Sequence, residues 1–539
     1  MTSHVSRRGI LAAGAAAGVA TGAGAVAGGA SVARAAAVDT PAGSGAATGR
    51  SGPAGQDGRS GQGGHGVALT HVTVIDPHTA RVRHDMTVLV RGDRIEAVHA
   101  SGEGRVPAGV RAVDLRGRYV IPGLSDMHVH SVMDRIDPAL HVANGVTTVR
   151  EMAGGDQVFD WRRRIEAGEL LGPRWTISSR LVDGAPSIWD PAVLDIVEVA
   201  DAAGARRAVR EEIRRGADFV KVYSRLPREA LTAIADETRR LGVPFAGHCP
   251  DEVSLLEAAR LGQRSFEHLF WTFFATSSKE AWARREIARI RLAQGDYSGW
   301  FERIHPVEWI AARTYDPDRA GTVFDRLASH GTRQVPTLIM HRGLDLARTL
   351  DRDDPRRRYL PAASRSGMDY ALDELYLKQR SVAEDAEWAA LFEYRLRLVS
   401  AMNRAGVPLM VGTDVATPGV FPGFAVHDEL RLLVDAGLTP MAALHAATAE
   451  PARYLGTRSG RVAPGHTADL VVLGANPLDD IRNTRRIDGV VVRGRHLGPA
   501  DLTELLRGVE EAAAEPRPTP AGAARPPCPC HAPTRAAAV

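Results

Sequence analysis

The sequence predicts an α/β protein: a (β/α)8, TIM-like barrel with a small β-sandwich built from both flanks of the barrel. Three observations carry this. Eight strand-like runs between residues 124 and 414 alternate with helical patterns, as in a parallel sheet with helical crossovers. Two β-rich pieces, 66–122 and 457–500, bracket that region. Histidine, lysine and aspartate side chains fall at the ends of several runs, and C-terminal strand ends are where barrels carry their chemistry.

A chain of 539 residues can bury a large core and form more than one domain. Its 44% hydrophobic and 24% charged content is that of a globular protein. A net charge of +3 is small for this length and gives no case for nucleic-acid binding. Three cysteines exclude a disulfide framework. Lysine is scarce: only Lys221, Lys279 and Lys378 occur among 67 basic residues. In so arginine-biased a chain, a lysine hints at a position where guanidinium will not serve.

Taken in order, 1–37 reads as a twin-arginine (Tat) export signal. Ser6-Arg7-Arg8-Gly9-Ile10-Leu11 precedes a mildly apolar Ala/Gly/Val stretch and A-x-A sites at 33–37. That stretch is too rich in Gly and Ala for a good spanning helix, so cleavage and an extracytoplasmic, secreted location are expected. Residues 38–65 read as a disordered Gly/Ser linker. The first β-rich piece, 66–122, holds runs at Val67–Ile75, Met86–Val90, Arg94–His99 and Val113–Val120, with a hairpin turn at Arg91-Gly92-Asp93. Its partner, 457–500, holds Ala468–Leu473 and Gly489–Arg493, ended by Gly494. From 501 to 539 an Ala/Pro-rich tail is expected to be mostly disordered. It carries Cys528-Pro529-Cys530-His531, a metal-scavenging or redox motif or simply a solvated end.

The barrel is assigned to 123–456. Its expected strands are Leu124–His130, Val146–Glu151, Arg174–Ser178, Phe219–Tyr223, Pro244–His248, Ser265–Leu269, Val335–Ile339 and Pro408–Asp414. Helical patterns span Ala202–Arg215, Arg228–Leu241 and Val253–Leu261. Segments 270–333 and 340–405 exceed simple crossovers, are helical in pattern, and would form lids over the site.

The candidate site residues lie at strand ends. His128 and His130 end the first strand; on a strand, residues i and i+2 face the same way, roughly 6–7 Å apart, so both imidazoles can reach one metal ion. Lys221 lies near the end of the fourth strand, His248 ends the fifth, His268 the sixth and Asp414 the eighth. Each residue alone fits a core histidine, a snorkelling lysine or a turn aspartate. Their coincidence at the strand ends of one barrel points to a metal centre. Neutral imidazole is a good donor to Zn²⁺, and manganese, iron or cobalt suit the same ligands. A desolvated lysine loses its proton more easily, and the free amine can take up CO2 as a carbamate with two bridging oxygens. Arginine cannot. Two divalent ions about 3.5–4 Å apart can share a hydroxide. Asp414 could take a proton and deliver it to a leaving nitrogen.

In this ordered set the chain resembles the amidohydrolase superfamily, in its binuclear, carboxylated-lysine branch of imidazolonepropionase-like and prolidase-like members. The motifs are IPGLSDMHVH (121–130), GVTTVREM (145–152), GADFVKVY (216–223), AGHC (246–249), EH (267–268), GTD (412–414), HDELRLLVDAGLTPMAALHAATAEPARYLG (427–456) and GRVAPGHTADLVVLGANPLDDI (460–481). The resemblance implies that His128, His130 and Asp414 bind the more buried metal, that His248 and His268 bind the second, and that carboxylated Lys221 bridges them. One departure is Glu151, where relatives carry aspartate; it is expected to affect packing or the pocket edge. True imidazolonepropionases lack the bridging lysine. Relatives with it include dipeptidases and hydrolases of other amides.

The expected function is an exported, metal-dependent amidohydrolase that cleaves a C–N bond in a small substrate such as a dipeptide or N-acyl amino acid. A bridging hydroxide would attack. The alternatives are hydrolysis of a lactam, lactone, ester or phosphoester on the same centre, or metal binding without turnover. Tyr223, two residues past Lys221, could hydrogen-bond the substrate carbonyl or be a core tyrosine. Arg180, His341 and His427 follow strands three, seven and eight and are candidate substrate contacts, to a carboxylate or leaving group, or else surface residues. The expected partners are a small-molecule substrate, the Tat export machinery and possible further copies of the chain in a homo-oligomer.

Overall fold

The computed structural model describes residues 66–515, apart from 192, 193, 379 and 416. The export signal, the linker and the Cys528–His531 motif lie outside the described residues.

Val67–Asp76 (β1), Arg81–Arg91 (β2) and Arg94–Ala100 (β3) form an antiparallel meander. Arg111–Asp114 (β4) and Tyr119–Pro122 (β5) both pair in parallel with β1. One strand was expected over Val113–Val120. The chain turns instead, with the Arg118 amide donating to Leu115 O at 2.9 Å and the Asp114 carboxylate accepting from the Arg116 amide at 3.2 Å.

Leu124–Val129 (β6), Val146–Glu151 (β7), Arg174–Gly184 (β8), Ile196–Val199 (β9), Phe219–Val222 (β10), Phe245–Gly247 (β11), Ser265–Glu267 (β12) and Arg333–Val335 (β13) follow. They pair in parallel in the order β6-β7-β8-β10-β11-β12-β13, with β9 an extra partner of β8. Segment 408–414 completes the barrel. The Met410 amide donates to Gln334 O at 3.0 Å on one side, and the Met127 amide donates to Val411 O at 2.8 Å on the other.

The seventh strand was expected at Val335–Ile339, but Leu338–Asp345 is a helix. The buried Glu429 carboxylate accepts from the amides of Leu338 (3.0 Å) and Ile339 (2.7 Å), satisfying donors that a helix start leaves open. The third strand runs on to Gly184 because its second half has partners on both sides, β9 and β10.

Leu470–Leu473 (β14), Ile487–Val492 (β15) and Arg495–Leu497 (β16) join β5 antiparallel through β14. The two flanks therefore make one continuous eight-stranded sheet with its own core, the small β domain expected beside the barrel. Its edges approach through residues 465–466, where the Ile95 amide donates to His466 O at 2.9 Å and the Gly465 amide to Ile95 O at 2.8 Å. Side chains alternate along β14: Leu470 and Val472 enter the sheet's own core, while Val471 and Leu473 enter the barrel core. Gly494 adopts φ +77° against the Gly92 carbonyl, which leaves no room for a side chain.

The mostly disordered tail expected from 501 begins as a helix, Pro499–Ala514. Leu502 packs on Val490 and Leu497, and Val509, Ala512 and Ala513 pack with Ile136 and Leu140. Helical spacing of apolar residues is present there; the Ala/Pro-rich composition beyond it masked the signal. No helix among the described residues is long and apolar enough to cross a membrane.

Segments 270–333 and 340–405 are helical, as expected, and are pinned together inside the protein. Buried Arg395 on Asp385–Arg404 donates to Glu308 on Tyr297–Arg313 and to Asp345 on Leu338–Asp345, each at 2.6 Å. His305 stacks on Trp388 with centroids 3.5 Å apart.

Candidate active site

All six expected metal ligands, His128, His130, Lys221, His248, His268 and Asp414, line one cavity at the C-terminal ends of the barrel strands, and Tyr223 lines it with them. Ligand atoms of His128, His268 and Asp414 lie within 4.8 Å of one another. Asp414 Oδ1 is 3.3 Å from His128 Nε2 and 3.1 Å from His130 Nε2. The rings of His248 and His268 meet edge to face at 5.0 Å, and His128 lies 5.0 Å from His268.

The backbone is shaped to hold this set. His268 and Asp414 adopt φ +63° and +56°, and so does the neighbouring Thr337 at +46°. Non-glycine residues rarely take such angles, and they concentrate where surrounding structure over-determines the chain. The Asp414 amide donates to His128 O at 2.8 Å, locking the eighth strand's end to the first. A side chain at Gly412 would run into Val335 and come within 2.9 Å of His128 Cβ. A side chain at Gly247 (φ +132°) would come within 2.9 Å of Lys221 Cδ.

Partners behind three of the imidazoles orient them. His128 Nδ1 is 3.0 Å from Glu267 Oε2, His248 Nδ1 is 2.9 Å from Ser224 Oγ, and His268 Nδ1 is 2.8 Å from Thr337 Oγ1. Each contact engages Nδ1 and leaves Nε2 for the cavity, a common second bond of a metal-ligating histidine. Glu267 is itself held by the buried guanidinium of Arg150 at 2.8 Å and by Ser265 Oγ at 2.6 Å. Asp126 accepts from Thr413 Oγ1 at 2.6 Å and from the His128 amide at 3.2 Å, joining strands one and eight beneath the site. Sequence reasoning did not single out Glu267, Asp126, Ser224 or Thr337. Glu267 stood within a quoted motif, but nothing local signals that its carboxylate reaches back to strand one.

The electrostatics suit metal donors. Burial holds the imidazoles of His128 and His248 well below the ordinary histidine pKa and that of His268 at about 4, so all three are neutral with a lone pair to give. Burial also lowers Lys221 to about 8, which brings the free amine within reach near neutral pH. Burial pushes the Asp414 carboxyl up, but the close approach of His128 and the hydrogen bond from His130 outweigh it and hold the group below the ordinary carboxylate range. Desolvation raises Tyr223 well above an ordinary phenol, so it stays a donor. Its ring stacks on His248 at 4.0 Å. The donor set of four imidazoles, a carboxylate and a lysine that can be carboxylated fits two divalent ions.

The expected substrate contacts are placed elsewhere. Arg180 lies within β8, its guanidinium bonded to Glu212 at 2.6 Å and Asp195 at 3.1 Å, outside the cavity. His427 is buried between Thr484 Oγ1 (3.0 Å) and Asn144 O (3.1 Å) and ties helix Phe424–Asp435 to its surroundings. His341 is buried on helix Leu338–Asp345, its ring 6.1 Å from that of His268, and does not line the cavity. Sequence order placed His341 and His427 after the seventh and eighth strands but could not show which way they face, and Arg180 falls inside the third strand because that strand runs on to Gly184. Glu151 fits the expectation of a role at the pocket edge: its carboxylate accepts from the Ser131 amide at 3.0 Å and the Ala153 amide at 3.2 Å, and Ala153 lines the cavity.

The cavity wall comes from residues the motifs do not contain. Trp189 follows β8, Phe270, Tyr297 and Trp300 come from the first long insertion, and Tyr376 from the second. Tyr376 sits on a π-helical turn, Ala371–Leu377, a rare geometry frequent at functional sites. Trp189 stacks on Tyr297 at 4.3 Å.

Comparison with known proteins agrees with this architecture. The family model described as Amidohydrolase family matches residues 119–497. The ochratoxinase of Aspergillus niger is 23% identical over 360 residues, 64% of this chain and 56% of that protein, so the chain spans just over half that relative's length. The imidazolonepropionase of Deinococcus deserti is 25% identical over 425 residues, 78% of this chain and 91% of that protein. Among solved structures, a bottromycin amidohydrolase superposes with a TM-score of 0.65 and 25% identity, over 84% of this chain and 91% of that one. With seven-tenths of its length under the family model, the chain belongs to the amidohydrolase family.

Proposed function

We propose that the chain is an exported, metal-dependent hydrolase of a C–N amide bond in a small substrate. The observation that carries this is the convergence of His128, His130, Lys221, His248, His268 and Asp414 on one cavity, with Tyr223 beside them. His128, His130 and Asp414 would hold one divalent ion, His248 and His268 the other, and a carbamate on Lys221 would bridge. Ions bound there supply Lewis-acid polarisation of the carbonyl and a water acidified to near neutrality. Zinc is the default.

The protein's own groups supply the rest. Asp414 Oδ accepts the proton of the attacking water and returns it to the departing nitrogen. An amide needs this second act because an amine anion is a poor leaving group. The Tyr223 phenol donates to the carbonyl oxygen, a bond that strengthens as charge develops there. The insertions roof the site and limit bulk water around these groups. The Tat-type signal read in 1–37 supports export of an already folded, metal-loaded protein.

A panel of amides, lactams, lactones, esters and phosphoesters tests the reading. Amide turnover that collapses in Lys221→Ala and Asp414→Asn is expected. Full activity in both variants would sink the mechanism. Turnover confined to phosphoesters or lactones would move the reaction to another bond.

A further inference from the structure

The cavity that holds the donors is lined on its other side by apolar rings, and among the described residues Lys221 is the sole cation lining it. The four internal residues outside the described set, Ala192, Val193, Gln379 and Ala416, carry no charge. The buried guanidinium groups of Arg150 and Arg395 and the half-buried one of Arg225 are already paired. Arg150 is bonded to Glu267 at 2.8 Å, Arg225 to Asp251 at 3.0 Å, and Arg395, behind Phe270, to Glu308 and Asp345. A substrate carboxylate brought against this wall would lose its water and gain no ionic partner, an unfavourable exchange. A ring would meet Trp189, Phe270, Tyr297, Trp300 and Tyr376, the first four of which pack on one another at 4.3–6.3 Å as interacting aromatics do. The phenols of Tyr223 and Tyr297 can donate to a neutral carbonyl, while Tyr376 donates to Tyr297. Burial holds Tyr297 at about 12, so it remains protonated.

We infer that the substrate presents an uncharged aryl or arylalkyl group to this wall, beside the scissile amide, and that a free carboxylate at that end is excluded. The inference rests on the hydrolase reading and narrows it. Free-acid dipeptides whose terminal carboxylate would face the wall are poor substrates; neutral amides carrying a ring are good ones. Trp189, Tyr297 and Tyr376 become the specificity-determining residues.

Binding without turnover separates the two claims. Isothermal calorimetry on the purified metal-loaded protein compares three ketones with no bond to cleave: benzylacetone, its para-carboxylate on the ring, and methyl butyl ketone. Benzylacetone is expected to bind about tenfold or more tightly than either of the others. Trp189→Ala and Tyr297→Ala should erase that preference while metal content stays at the wild-type level. Equal or tighter binding of the carboxylate, equal binding of methyl butyl ketone, or no saturable binding of benzylacetone overturns the assignment. Ring preference in a protein that hydrolyses no amide defeats the hydrolase reading and leaves the wall's role standing. Efficient cleavage of free-acid dipeptides over their neutral amides does the reverse.

Discussion

The donors of the site come from short strands of a closed barrel. The rings opposite them come from Trp189 and from two long helical insertions held together by Arg395. On the donor side the positions are fixed by backbone bonds such as Asp414 N–H to His128 O and, for His128, His248 and His268, by a partner behind the imidazole. On the ring side the contacts are face-to-face and edge-to-face packing between side chains from distant segments. The chemistry demands particular atoms at particular places on the first side. On the second it demands only shape and the absence of charge. The two sides should therefore respond differently to substitution: loss of reaction on one, change of preference on the other.

The largest effect is expected at Asp414→Asn, which would remove the proposed proton carrier and weaken the proposed metal ligand. Its kcat/KM should fall by about three orders of magnitude, measured on whichever amide the wild type cleaves fastest. Retention of more than a tenth of the activity would mean that another group carries the proton. Next comes Arg395→Ala, which leaves Glu308 and Asp345 buried without their cation. A loss of about 3–5 kcal/mol in denaturant unfolding is expected. A change under 1 kcal/mol would show that the insertions are held by packing alone.

Glu267→Gln keeps the size of the side chain but weakens the orientation of His128. Metal affinity should drop roughly 10- to 100-fold in chelator competition, with the fold retained. An unchanged affinity would reduce Glu267 to a structural partner of Arg150. The smallest effect is expected at Trp189→Ala, about tenfold in kcat/KM for a ring-bearing substrate with metal content unaltered. Metal loss in this variant would blur the contrast between the two sides of the cavity.

How much of this could be read from the sequence follows the same division. The metal-type residues were legible because period-two spacing and strand-end position are local properties: His128 and His130 are two residues apart, and Asp414 follows an apolar run. Helices Ala202–Arg215 and Arg228–Leu241 were legible from their apolar periodicity and appear with those bounds. What failed was set by distant partners. The Leu338 helix depends on Glu429, ninety-one positions later. The orientation of Arg180 depends on Glu212, and that of His427 on Thr484 and Asn144. The helix Pro499–Ala514 had a local signal, but compositional bias beyond it drew the boundary too early. The aromatic wall had none, since its rings are scattered over nearly 190 positions and meet only in the fold.

The metal content of the purified mature protein, compared between wild type and Lys221→Ala, bears most directly on the site. About two divalent ions per chain in the wild type, and clearly fewer in the variant, are expected of a lysine-bridged pair. One ion in both proteins would make Lys221 a structural residue and contradict the bridged centre. No ion in either, with the fold intact, would contradict the metal site altogether.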